Sequence, residues 1–151
     1  SLEDAPITVL PVAVSDKGGW ETFAISRRAR ASNSLAGYGS SSTGGVLQNR
    51  TVPATTLDTM LDNFPVPNVL KIDVEGAEVK VLEGAKEVLK TARPLIYCEV
   101  SSENMQETKR ILSGASYRLM DGQKISSPED FNGMSNSIGF NTVAVPEELV
   151  V

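Results

Sequence analysis

Histidine is absent from this chain, and cysteine occurs once, at Cys98. The first absence excludes Ser–His and Cys–His nucleophilic systems and any His-ligated zinc site. The second excludes an internal disulfide and fits a reducing compartment, so a cytoplasmic location is expected. An excess of basic residues is also lacking. With a net charge of -5 the chain has no general affinity for nucleic acid, and no nucleic-acid partner is expected. No apolar run approaches the ~20 residues that span a bilayer, and no secretory signal opens the chain, so no membrane partner is expected. Chemistry here must use carboxylates, lysine, arginine, hydroxyls or a bound cofactor.

What is present is an ordinary globular composition, 40% hydrophobic and 22% charged over 151 residues. That length fits a single domain over residues 1–151 with one core. Its most informative stretch is Leu70-Lys71-Ile72-Asp73-Val74-Glu75-Gly76-Ala77-Glu78. Val69, Leu70, Ile72 and Val74 suit a strand covered on both faces, as in a parallel sheet, and Gly76 permits a sharp turn into a helix. The strand is expected from about Asn68 to Glu75 and the helix from about Ala77 to Thr91, with Val81, Leu82, Ala85, Val88 and Leu89 as its apolar stripe. Leu95 to Val100 reads as the next strand. Strand, helix and strand with short links make a right-handed βαβ unit with parallel strands.

Upstream, Ile7 to Val14 reads as a first strand, distorted or at an edge because of Pro11. Trp20 to Ile25 reads as a second strand paired with it in a hairpin, with Trp20 and Phe23 as packing residues. Arg27, Arg28 and Arg30 precede a Ser/Gly-rich stretch, residues 31–49, expected to be a flexible loop. Its Gly37-Tyr38-Gly39 lacks the preceding strand and following helix of a phosphate-binding loop. Thr51 to Thr55 is extended, and Thr56 caps a short helix bearing Leu57, Met60, Leu61 and Phe64. Downstream, Ser101 or Ser102 caps a helix from about Glu103 to Leu112. Ser116 to Met120 is a strand, with a tight turn at Asp121-Gly122 and a short return at Lys124-Ile125. Pro128 to Phe131 suggests a helical turn, and Phe140 to Val145 is the last strand.

Side chains repeat every two residues along a strand, so Asp73 and Glu75 should project to one side. Glu99 ends the neighbouring strand, and Glu78 opens the helix. Such a corner can hold a hard divalent cation, act as a general base, or orient an amine or hydroxyl. Glu75 and Glu78 also suit a helix N-terminus irrespective of function. Asp73, at the tip of an apolar strand, is costly to desolvate without a partner. Cys98 alternates into the strand interior as a small apolar group.

The segment Leu57-Asp58, the Leu70–Glu78 stretch, Val81-Leu82-Glu83-Gly84-Ala85, Arg93-Pro94 and Glu99 together resemble the FkbM family of S-adenosylmethionine-dependent methyltransferases. Val9 to Asp16, with Gly19 and Phe23, resembles that family's third strand and following turn, Ser34-Leu35 its Ser-Leu signature, and Asn141 to Pro146 its closing strand. The resemblance implies an α/β fold: a partial Rossmann-like methyltransferase, with a mostly parallel sheet, an antiparallel C-terminal edge and an N-terminal hairpin. It implies S-adenosylmethionine as donor and a sugar or natural-product hydroxyl as acceptor. Ser15 and Asp16 would lie on the donor's adenine side, and Asp73, Glu75 and Glu99 would serve as catalytic residues on the acceptor side.

In that family a glycine-rich donor loop precedes the strand matched by Ile7–Val14, and only Ser1 to Pro6 precede it here. The resemblance therefore implies the C-terminal part of the fold, inactive as an isolated chain, or alternatively a non-catalytic binding or assembly module of the same descent. The strands implied before Ile7 would lie between the Ile7 and Val69 strands. Their absence implies a sheet flank covered by a rearranged hairpin or by a second copy in a homodimer.

Overall fold

The computed structural model describes residues 7–27, 33–38, 45–127, 129–130 and 136–150. The described residues form two four-stranded sheets. The first has the order β1-β4-β2-β3, with β1 at Ala13–Val14, β2 at Gly19–Ser26, β3 at Ser34–Leu35 and β4 at Val46–Thr55. The second has the order β5-β6-β8-β7, with β5 at Val69–Ile72, β6 at Leu95–Glu99, β7 at Tyr117–Asp121 and β8 at Asn141–Pro146.

Both sheets are mixed, which corrects the expectation of a mostly parallel one. In the second sheet only β5 and β6 pair in parallel, while β8 runs antiparallel to both β6 and β7. The antiparallel C-terminal strand lies inside this sheet rather than at its edge. Its burial explains the placement, because every residue from Thr142 to Pro146 is buried. The expected βαβ crossover is present. It runs through α2 at Glu78–Glu83 and a π-helical turn at Val88–Ala92, so the single long helix expected here is two pieces.

The N-terminal hairpin is also corrected. β2 pairs antiparallel with β4, and β4 separates it from β1, which pairs with β4 in parallel. Only two residues of the expected Ile7–Val14 strand enter the sheet. Pro11 cannot donate to a ladder, and Ile7 and Val9 are exposed. Trp20 projects from the ribbon at 74% exposure, so it does not pack as expected. The stretch 31–49 is not one loop: Ser34–Leu35 forms β3 and 46–49 belong to β4. Arg28, Arg30 and residues 39–44, like Pro128 and Phe131, lie outside the described residues.

The core lies on one face of the second sheet. Ile72, Ile96, Cys98, Leu119 and Ala144 meet Val81, Leu82, Ala85, Val88 and Leu89 of the crossover and Leu112 of α3, at Met105–Gly114. A smaller cluster of Met120, Val143 and Val145 covers the other face. Helix α1, at Leu57–Met60, is capped as expected, with Thr56 Oγ1 accepting the Thr59 amide at 3.0 Å. The turn after Asp121 is a 3-10 turn at Gly122–Lys124 with no return strand, because β7 finds its partner in β8.

β5 is an edge strand, not one buried on both faces. Val69 is 64% exposed and Lys71 also faces solvent, while Ile72 is buried. β1 is likewise an edge strand. The sheets meet through the crossover: the Asp58 amide donates to the Gly84 carbonyl at 3.0 Å, and Asp58 Oδ1 accepts the Val88 amide at 2.9 Å.

A carboxylate cleft at the ends of two parallel strands

β5 stops at Ile72, three residues short of Glu75, where the period-two reading needs it to end. Asp73 and Val74 continue without strand pairing, and the chain then turns through left-handed backbone at Glu75 (φ 50°) and Gly76 (φ 97°). The turn brings Asp73, Glu75, Gly76, Glu78 and Glu99 into one cleft with Ser101 and Phe140, about 710 Å³ in volume. All three expected acceptor-side carboxylates therefore share a wall. They are gathered by the turn rather than by strand alternation.

Their electrostatic states differ. Lys71, which is not a site candidate on sequence alone, lies between two of them, with Nζ 2.8 Å from Asp73 Oδ2 and 3.2 Å from Glu99 Oε1. The bond to Asp73, opposed by burial and aided by Glu99, raises the lysine's pKa. Glu75 forms no hydrogen bond or ion pair within the described structure. Burial raises its pKa above the ordinary carboxylate value, and the negative charges of Asp73, Glu99 and Glu78 raise it further. A carboxylate held in that state is a stronger proton acceptor than a free one once ionised.

Glu78 is the most buried of the group, at 2% exposure. Its Oε1 accepts the Gly76 amide at 2.8 Å, and its Oε2 accepts Asn104 Nδ2 at 2.6 Å and Ser101 Oγ at 3.3 Å. Three donors offset the desolvation of this buried charge. Cys98 lies behind the cleft, fully buried, and burial pushes its thiol up to about 12. It is packing, as expected.

Ser15 and Asp16 stand apart from this cleft, at the end of β1. Ser15 is fully buried, and its Oγ donates to Asp16 Oδ1 at 2.9 Å and to Glu21 Oε1 at 3.2 Å. It supports Asp16 and presents no surface of its own. The Ser15 hydroxyl is the main reason that the Asp16 pKa is lowered. Lys80 completes the group, with Nζ 3.2 Å from Glu21, 3.8 Å from Asp16 and 5.5 Å from the Tyr38 ring centre. Burial opposes the Lys80 charge, but the Glu21 carboxylate, Tyr38 and Asp16 together hold its pKa above the ordinary value. Lys80 and Glu21 carry no motif signal, and only the fold brings them to Asp16. Glu78 and Lys80 both belong to α2, so one short helix joins the two groups.

A family model of the FkbM methyltransferase domain matches residues 2–119. The chain belongs to the FkbM methyltransferase family. The matched span of this FkbM domain includes Asp16, Asp73, Glu75, Glu78 and Glu99. FkbM methyltransferases generally use S-adenosylmethionine, and the family implies a small-molecule acceptor. No curated protein and no solved structure matches the chain significantly. Among the described residues, no group of three or more cysteine, histidine or carboxylate side chains is arranged to hold a metal ion. No helix among them is long and apolar enough to cross a membrane.

Proposed function

We propose that this FkbM domain supplies the acceptor side of an S-adenosylmethionine-dependent O-methyltransferase, with a sugar or natural-product hydroxyl as substrate. The observation that carries this reading is the unpaired Glu75 carboxyl, raised in pKa, in a cleft beside Asp73 and Glu99. The donor supplies an electrophilic methyl group, and the acceptor hydroxyl must lose its proton as the ether forms. Glu75 takes that proton. Asp73 and Glu99, fixed by Lys71, accept hydrogen bonds from neighbouring hydroxyls and orient the acceptor.

On the donor side, Asp16 fits a role in accepting a hydrogen bond, since its side chain is 33% exposed and is held in place by Ser15 and Lys80. Ser15 acts through Asp16. Asp16 is the one donor contact that this reading assigns.

A second reading, a non-catalytic binding or assembly module, draws on the open edge of β5 and the exposure of Val69. In that reading the edge pairs with a second copy. Calorimetry with S-adenosylhomocysteine, together with methyl transfer from labelled donor to a panel of polyhydroxylated acceptors, separates the two. Binding that weakens in Asp16→Asn, and transfer that disappears in Glu75→Gln with binding retained, supports the first. Absence of heat at millimolar ligand, with a dimer in analytical ultracentrifugation, supports the second.

A further inference from the structure

Gly76 is held at both of its backbone polar groups by one pair of side chains. Its amide donates to Glu78 Oε1 at 2.8 Å, and its carbonyl accepts Asn104 Nδ2 at 2.7 Å. The pair is itself joined, Asn104 Nδ2 to Glu78 Oε2 at 2.6 Å. Asn104 stands at the start of α3, after β6, whereas Gly76 follows β5. The contact therefore bridges the carboxyl ends of the two parallel strands that wall the cleft.

We propose that Glu78 and Asn104 are positioning residues: a clamp that holds the Glu75–Gly76 turn left-handed and so fixes where the Glu75 carboxyl stands in the cleft. The inference rests on the reading of Glu75 as the proton acceptor and adds to it how that group is held. A residue with a side chain at φ 50° is disfavoured unless its surroundings over-determine it. Among the described residues Glu75 has no hydrogen bond or ion pair of its own, but its neighbour is bonded on both sides. The clamp is built to last, since Glu78 is buried with both carboxylate oxygens occupied.

The clamp also contributes charge. Glu75 shares the cleft with Asp73 after β5, Glu99 of β6, Glu78 of α2 and Glu103 before α3, and Lys71 lies against Asp73 and Glu99. Lys71 is engaged by Asp73 and Glu99, and among the described residues no lysine or arginine pairs with the buried Glu78, whose charge acts on Glu75. A role confined to packing would leave the Glu75 titration unchanged when Glu78 loses its charge but keeps its shape.

The test is a carbon-13 titration of the labelled Glu75 carboxyl in the full chain, alongside amide exchange at Gly76. In the unaltered protein the Gly76 amide is protected. Glu78→Gln lowers the Glu75 pKa toward its ordinary 4.5 and speeds Gly76 exchange. Asn104→Ala leaves the Glu78 charge in place but frees the turn, so Gly76 exchange again rises, and transfer, where present, loses kcat with donor KM unchanged. Asn104 is only partly buried, which keeps this second variant informative if Glu78→Gln does not fold. An unprotected Gly76 amide in the unaltered chain overturns the clamp. So does a Glu75 titration and Gly76 exchange that neither variant moves. Absence of methyl transfer in the unaltered chain would defeat the catalytic reading while leaving these two measurements to decide the clamp.

Discussion

Gly84 lies against Ser15 so closely that a Cβ built on it would come 2.2 Å from the Ser15 carbonyl oxygen and 3.2 Å from Thr56 Cβ. Its φ of -85° is open to any residue, so glycine is required here for space and not for backbone freedom. This is where the crossover of the second sheet touches the end of β1 in the first. The backbone oxygen cannot swing aside as a side-chain tip would. Gly84→Ala is therefore expected to push the two sheets apart and cost about 1–3 kcal/mol. Urea denaturation checks the stability, and weakened S-adenosylhomocysteine binding through displaced Asp16 checks the site. A variant as stable as the parent would mean that the sheets do not meet at this point.

Arg93 fastens the end of the crossover to the C-terminal turn at Glu147–Leu149. Its guanidinium makes a two-pronged pair with Glu148, at 2.7 and 2.6 Å, and also donates to the carbonyls of Leu89, Ala115 and Ser116. The Arg93 guanidinium holds the Glu148 carboxyl well below the ordinary carboxylate range, at about 2. A depressed folded-state pKa contributes stability that is present above the unfolded value near 4.5 and is lost as pH falls toward 2. Glu148 is exposed, so salt should weaken the effect. Glu148→Gln is expected to flatten this part of the stability–pH curve, which urea midpoints across the acid range measure. An unchanged acid slope would remove the pair from the account.

The central motif and its flanks were legible because each step is local. An apolar run followed by Asp73, Glu75 and Gly76 predicts strand, acidic turn and helix start without any tertiary knowledge. The Thr56 cap and the burial of Cys98 were legible for the same reason. Pairing was not. Nothing local says that β4 comes between β1 and β2, since register in an exposed ribbon is only weakly imposed by a buried face. The crossover breaks near Gly84 because Asp58 takes the groups that would continue the helix, its amide bonding the Gly84 carbonyl and its Oδ1 the Val88 amide, a long-range constraint on a stretch with sound helical periodicity. Lys71 and Lys80 were missed because their charges read as solvent-facing until partners distant in sequence, Glu99 and Glu21, close on them.

Glu75 is held at a cost to the fold. Its pKa is raised in the folded state, so the folded protein binds its proton more tightly than the unfolded chain does. That contribution to stability is present at acid pH and is lost as pH rises through the folded-state pKa. Glu75→Gln removes the charge that burial and three neighbouring carboxylates oppose. The variant is expected to be more stable than the parent at neutral pH, with the difference vanishing in acid, while proton acceptance is lost. Melting temperatures at paired pH values check the first outcome, and methyl transfer checks the second. A variant destabilised at neutral pH would mean that the Glu75 charge is satisfied by a partner.

Lys71 is the counterweight to this arrangement. It is an exposed lysine on an edge strand, yet it contacts two of the carboxylates that face Glu75. Lys71→Met removes the positive charge and leaves Asp73 and Glu99 uncompensated beside Glu75, with the Glu78 charge still buried behind them. The expected result is a further rise in the Glu75 pKa, and a pH–rate profile whose rising limb moves to higher pH. Added salt should shrink that displacement, because the lysine pairs are open to solvent. The effect of Lys71→Met is thus opposite in sign to that of Glu78→Gln, and the two substitutions act from different sides of the same carboxyl. Carbon-13 titration of Glu75 in both variants reads the two signs directly. A Glu75 pKa that falls in Lys71→Met would mean that the lysine does not offset the field of Asp73 and Glu99 at Glu75, and would remove it from this arrangement.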